Sequence, residues 1–282
     1  MAEQGRIEGP GGAIMTTFER FNSRTFINAI LAMRTALSVG SRASLEPIGT
    51  DLPVVKGPDG MPFIPGSSIK GVVRFQVERV LRTLDRKPDL WACDPFQDPC
   101  VSDREKEKLW GESKRNEAMF AEKVFDASCT ACRMFGSPWF AGRVACKDAY
   151  LVNGDRLVRV TQVRDGVGID RDLGAARSGI KYDFETVVPG SRFRIEIVAE
   201  NLDDWELGLL VTVLNWWGEE GFAIGGKSTR GPGWGRLEEI TIQRVTSENL
   251  LDYLSSGRAP SVYASPYLEA FGNKWRKGAG NA

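Results

Sequence analysis

The most regular alternation in the chain is "TFINAILAMRTALSV", residues 25 to 39. Ala29, Leu31, Met33, Leu37 and Val39 share one face there, and Asn28, Arg34 and Ser38 the other. A period of two over this length predicts a long, half-buried strand. A Gly- and Pro-rich stretch follows, then the period changes. In "SSIKGVVRFQVERVLRTL", Ile69, Val72, Val73, Val77, Val80, Leu81 and Leu84 recur at helical spacing, with Lys70, Arg74, Arg79 and Arg82 on the other side. This predicts an amphipathic helix with Ser67 or Ser68 as its N-cap. Residues 85–135 are charged and Cys-bearing, with one short helix predicted at "SDREKEKLW", and they read as an insertion. Strand character returns at "RLVRVTQV" and again at "SRFRIEIVAE", where Phe193, Ile195 and Ile197 face one way. "DDWELGLLVTVLNWWGEEG" predicts a mostly apolar helix capped by Asp203 or Asn201, and "GRLEEITIQRV" a strand.

The order is strand, crossover helix, strand, then strand, helix, strand. Two such units predict an α+β fold with a ferredoxin-like (RRM-like) palm. Residues 164–186 are Gly- and Arg-rich and bounded by strand signals, which predicts a long β-hairpin. The expected organisation is a disordered arm at 1–17 and a palm at 18–250 carrying the 85–135 insertion and the hairpin. A tail at 251–282 completes it.

Composition narrows the chemistry. The 282 residues hold no histidine, which removes Ser-His triads, Cys-His dyads and H-E-x-x-H zinc sites. Catalysis would have to rest on carboxylates, Lys, Tyr, Cys, backbone dipoles or a bound metal. Lys plus Arg and Asp plus Glu both number 37, so a nucleic-acid surface would be one basic groove balanced by an acidic face. No apolar run approaches the ~20 residues of a membrane span. The polar amino terminus lacks the pattern of a signal peptide, with Met15 as an alternative start, so a cytoplasmic protein with reduced thiols is expected.

Two motifs stand out. Gly221, Gly226, Lys227 and Ser228 in "GFAIGGKSTRG" satisfy the P-loop pattern G-x-x-x-x-G-K-[ST]. A P-loop lies between a strand and a following helix. Here a helix precedes the match, and Gly231, Pro232, Gly233 and Gly235 forbid one after it. A nucleotide hydrolase is therefore the remote reading. The glycines, including Gly225 and Gly226, together with Lys227 and Arg230, suit a phosphodiester backbone or a plain tight connection. The second motif is Cys93-x₆-Cys100 with Cys129-x-x-Cys132, all in the insertion. Four Cys thiolates suit structural Zn²⁺, and ordinary reduced thiols are the alternative. Cys146, in a strand, reads as core.

Four segments resemble the RAMP superfamily of CRISPR-associated proteins. "MPFIPGSSIKGVVR" is similar to its P-G-S-S-[LI]-K-G-x-x-R block, and "ACRMFGSPWFAGRVACKDAYLV" to its Cys-x-x-Phe-Gly segment. "GIDRDLGAARSGIKYDFETVVPG" is similar to its thumb hairpin, and "GGKSTRGPGWGRL" to its glycine-rich loop. They occur in the family's order over roughly residues 26 to 240, and the match is to a backbone subunit of a type III effector complex. The resemblance implies a subunit that polymerises along guide crRNA, beside neighbouring backbone subunits and other effector subunits, with no membrane. Its thumb would interrupt the guide–target duplex.

In active members an Asp between the first strand and the P-G-S-S helix supports Mg²⁺- or Mn²⁺-dependent cleavage of target RNA. In "IGTDLPVVKGP" that residue is Asp51, which read alone is an ordinary turn former. The spacer from Gly49 to Asp51 is one residue shorter than the family pattern, and Ser38 and Gly57 stand where the family has His and a second Asp. The expected RNA contacts are Ser67, Ser68, Lys70 and Arg74 at the helix start, and Arg164, Arg171, Arg177 and Lys181 on the thumb. Ile169 would wedge against a base step, and Gly225, Gly226, Lys227 and Arg230 would line the loop. The rival readings are a capped amphipathic helix with a solvated basic face, a mobile surface loop, and a structural RNA-binding subunit that does not cut.

Overall fold

The computed structural model describes residues 20–40, 50–172 and 174–277, and only the backbone over 176–181; the arm expected at 1–17 lies outside them. A mixed helix-and-sheet fold is built on β1 (Ser23–Met33), in which every second side chain is buried. β1 pairs antiparallel with β7 (Arg192–Glu200) on one side and β9 (Trp234–Thr246) on the other. β3 (Val144–Cys146) and β8 (Phe222–Ala223) add the edges, so the order is β3–β7–β1–β9–β8. Two smaller ribbons pair β2 (Phe63–Ile64) with β4 (Ala149–Tyr150), and β5 (Thr161–Ile169) with β6 (Ala176–Val187).

Helices cover one face of the sheet. α1 (Gly66–Leu84) buries Ile69, Val73, Val77 and Leu81, four of the seven apolar positions its spacing picks out. Burying each such side chain stabilises by about 1.5–3 kcal/mol. α5 (Asp204–Glu219) starts at Asp203, one of the two caps expected, in a capping box with Glu206. Glu206 also forms a buried ion pair with Arg143 at 2.5 Å, which ties the chain entering β3 to the start of α5. The strands β1 and β7 supply Ile27, Leu31, Phe193, Ile195 and Ile197 to the same core.

Four expectations need correction. The strand read to residue 39 stops at Met33, because beyond it each backbone edge bonds to a different segment. α1 is capped by neither Ser67 nor Ser68. Its N-cap is Pro65, and the Gly66 N–H donates to the Asp148 carboxylate at 2.7 Å. Strand character at "RLVRVTQV" begins only at Thr161, after a 3₁₀ turn at Gly154–Arg156. The stretch after residue 250 holds two helices, α6 (Leu250–Ser256) and α7 (Ser265–Lys277). α7 packs on α5 and buries Phe271.

The insertion holds α2 (Asp103–Glu112), with the capping box at Ser102 and Glu105 that "SDREKEKLW" encodes. α3 (Glu117–Ala127) and α4 (Thr130–Phe135) follow. α4 belongs to the main core, where Ala131, Met134 and Phe135 are buried.

The α5–α7 contact is close enough to test. A Cβ on Gly208 would lie 2.0 Å from the Tyr267 carbonyl oxygen, whereas one on Gly71 in α1 would meet nothing within 4 Å. Gly71→Ala should stabilise the chain by about 0.5–1 kcal/mol through helix propensity. Gly208→Ala should destabilise it by about 1–3 kcal/mol through overpacking. Denaturant melts of the two variants check both signs.

Candidate nucleic-acid interface and metal centre

The segment after β1 positions the site. Leu37 exchanges both backbone hydrogen bonds with Val187 at the base of the β5–β6 hairpin, at 2.8 and 2.9 Å. The neighbouring carbonyls point the other way. Ser38 accepts from the Gly226 N–H at 2.7 Å and Ala36 from the Gly233 N–H at 2.6 Å, which holds the glycine-rich loop. Val39 accepts from Val55 at 3.0 Å and holds the loop that carries Asp51.

Asp51 is exposed and bonded reciprocally to Asp183 of β6. The Asp51 N–H donates to Asp183 Oδ1 at 2.7 Å, and the Asp183 N–H donates to Asp51 Oδ2 at 3.0 Å. Two residues on, Glu185 accepts from the Val54 N–H at 3.1 Å and from Lys56 Nζ at 2.7 Å. Burial raises the Glu185 carboxyl, but hydrogen bonds from Lys56, Thr161 and Val54 outweigh it and hold the group below the usual carboxylate range. Asp183, Glu185 and Lys56 escaped the sequence reading. Their signal was an alternating acidic pattern in β6 whose partner lies over 130 residues away.

The P-loop match has no helix after it, only a 3₁₀ turn at Ser228–Arg230. Gly225 takes φ +85° and passes so close to the strand extension that a Cβ would lie 2.5 Å from the Ser38 carbonyl oxygen. Lys227, itself at φ +61°, sets its ammonium 4.5 Å from the centre of the Phe184 ring. Arg230 donates to the Tyr182 hydroxyl at 3.0 Å. Lys227 and Arg230 therefore dock on Phe184 and Tyr182, which share one face of β6, while Asp51 docks on Asp183 between them in sequence. Ser68 lines a groove with Gly225 and Ser228, so the helix start and the loop are neighbours.

Lys70 and Arg74 lie elsewhere. Burial pulls the Lys70 ammonium below its ordinary value, and Cys146 lies close enough to offset part of this. Arg74 turns to the cysteines. It donates to Glu78 at 2.7 Å, to the Gly136 carbonyl at 3.0 Å and to Cys132 Sγ at 3.6 Å.

Cys93, Cys100, Cys129 and Cys132 place their sulfurs within 4.8 Å of one another. Cys93 Sγ lies 3.7 Å from Cys132 Sγ and 3.6 Å from Cys129 Sγ. Disulfide sulfurs sit at about 2.05 Å, whereas sulfurs at tetrahedral Zn–S distances of about 2.3 Å stand roughly 3.8 Å apart. The set could hold a metal ion and is compatible with structural zinc. Hydrogen bonds from Cys129, Cys132 and Cys93 pull the Cys100 thiol well below its ordinary value, and bonds to Cys100, Cys129 and Cys93 push Cys132 up. Four thiolates at this spacing repel one another unless a cation neutralises them. Burial pushes the Cys146 thiol up to about 12, in keeping with its packing against the core.

A family model, the RAMP superfamily, matches residues 11–238. The chain belongs to the RAMP superfamily. It is 27% identical over 190 residues to the Streptococcus thermophilus protein named CRISPR system Cms endoribonuclease Csm3, covering 64% of this chain and 69% of that one. It is 25% identical over 183 residues to the Methanocaldococcus jannaschii protein of the same name, covering 62% of each. The second alignment thus spans less than two thirds of that relative.

The stretch 164–186, expected to be a thumb, lies within the β5–β6 hairpin, a two-stranded ribbon. Ile169 and Arg171 are exposed near its tip, and Arg164 lies opposite Phe184 nearer the base. The side chains of Arg177 and Lys181 lie outside the described residues. Tyr182 fills the space over Gly166, where a Cβ would lie 2.3 Å from its ring. No helix among the described residues is long and apolar enough to cross a membrane.

The Glu185 contacts give a pH signature. A carboxyl held low in the fold stabilises above its unfolded value, about 4.3, and loses that contribution as pH falls through the folded value. The wild-type melting temperature should therefore drop steeply below about pH 4. Glu185→Gln should melt lower at pH 7 and show a shallower acid limb. Thermal melts from neutral to acid pH check this.

Proposed function

We propose that the chain is a guide-RNA-binding backbone subunit of a type III CRISPR RNA-targeting complex and that Asp51 supports cleavage of bound target RNA. The observation that carries the reading is that the Asp51 loop and the glycine-rich loop, through Lys227 and Arg230, dock on three successive residues of one hairpin strand, Tyr182, Asp183 and Phe184. The names of the two relatives point the same way. The strand order supports a ferredoxin-like palm. With β1, β3, β7 and β9 as first to fourth strands, the order is fourth, first, third, second, with α1 after the first and α5 after the third.

The acidic pair fits a hydrated divalent ion. Each carboxylate uses one oxygen on the other residue's N–H, which leaves Asp51 Oδ1 and Asp183 Oδ2 without a protein donor among the described residues. Mg²⁺ or Mn²⁺ held there would act as a Lewis acid on the scissile phosphate. Lys227 and Arg230 neutralise phosphates beside it, and Asp51 orients the ribose 2′-hydroxyl. The thumb side chains Arg164, Ile169 and Arg171 meet the guide–target duplex, Ser67 and Ser68 receive guide phosphates, and Cys93, Cys100, Cys129 and Cys132 hold structural Zn²⁺. Because Asp51 also locks its own loop to β6, a structural subunit that does not cut is the second reading.

Asp51→Ala in the guide-loaded complex should lower cleavage of matched RNA at least about a hundredfold, and a chelator should do the same. Guide content should be unchanged. Unchanged cutting would sink the Asp51 assignment and favour the structural subunit; purified complex without RNA would sink the whole reading. Metal analysis should find about one zinc per chain, lost in Cys129→Ser, with a lower melting temperature. Under half an equivalent in the wild type counts against zinc.

A further inference from the structure

The face of the glycine-rich loop turned away from the hairpin lines an open groove of about 680 Å³, a size suited to a small-molecule or nucleotide site. Three aromatic side chains line it, Phe75 from α1, Trp216 from α5 and Trp234 from the start of β9, with Gln76 and Glu220 among the polar ones. Phe75 is 54% and Trp234 45% exposed, a large apolar surface to leave in water. Arg79 stands between Phe75 and Trp216, its guanidinium 5.7 Å from the centre of the first ring and 5.9 Å from that of the second. Arg79 forms no ion pair among the described residues and donates to the Gln76 side chain at 3.0 Å.

We infer that this groove holds an unpaired nucleobase of single-stranded RNA, stacked on Phe75 or Trp234 and covered by Arg79. The inference rests on the RNA-binding reading above and adds a base site to what was there a phosphate site. Three observations favour a base over a protein segment. Aromatic rings flanking an unpaired cation match a flat, polarisable ring with an electron-rich edge. Ser68 and Ser228 line the groove with hydroxyls that can meet that edge. The groove is also continuous with the loop that bears Lys227 and Arg230, so a base here stays connected to a backbone held on the loop's other face.

The test uses the full-length chain freed of nucleic acid and two labelled probes, a short oligouridylate and an abasic ribose-phosphate oligomer of equal length. The wild type should bind the oligouridylate about tenfold more tightly than the abasic probe, the scale of one stacked base, and its tryptophan fluorescence should be quenched. The double variant Phe75→Leu/Trp234→Leu keeps the apolar area but loses the π faces. It should lose the tenfold preference and hold the abasic probe as before, while Lys227→Ala weakens both probes alike. A double variant that binds oligouridylate like the wild type would overturn the groove and leave the RNA reading standing. Failure of the wild type to bind either probe would remove the RNA reading and the groove with it. Altered sedimentation with unaltered oligouridylate binding would identify a protein-docking surface instead and overturn the base site.

Discussion

Five residues, Ala36 to Gly40, hold together everything that gives this molecule a working face. Buried backbone groups seek hydrogen-bond partners, and this segment finds them in three places. Leu37 bonds to the hairpin, Ala36 and Ser38 to the glycine-rich loop, and Val39 to the Asp51 loop. No side-chain chemistry is needed for that convergence. It follows from a strand that leaves its sheet while still extended and offers alternate groups to opposite sides. Gly225 is required because the approach to Ser38 leaves no room for a Cβ.

α1 separates two chemistries by its angular position alone. Arg74, Glu78 and Arg82 reach the cysteine knuckle, through Cys132 Sγ, the Gly136 carbonyl and the Cys93 carbonyl. Phe75 and Arg79, one residue further round on the same helix, face the aromatic groove. A third stripe, Ile69 to Leu81, enters the core. The cysteine cluster is thus fastened to the helix on which the groove is built.

Local patterns made much of this legible. The alternation in β1, the apolar stripe of α1 and the capping boxes at Ser102 and Asp203 are short-range signals, and each element forms over its pattern, although β1 ends at Met33, six residues before the alternation does. The cysteines could be grouped because their spacing is a chemical signature. What escaped was set by long-range pairing. Asp183 matters only because Asp51, 132 residues earlier, docks against it. Asp148 takes the Gly66 N–H from across a strand connection, so no N-cap rule written in nearby residues applies. Arg74 reads in the sequence as an RNA contact at the helix start because nothing local reveals the sulfur it meets. α7 looked like a tail because its apolar residues are few and only Gly208 on another helix makes space for it.

The reciprocal bonds between Asp51 and Asp183 have a mechanical meaning. The carboxylate of Asp51 is fastened to the hairpin ribbon, and the Leu52 carbonyl accepts from Glu185 beside it. A paired ribbon resists bending within its plane far more than it resists swinging about its root. Asp51 is thus held to the ribbon by Asp183 and to the strand extension by Val55 and Val39, so the hairpin root and the carboxylate form one unit.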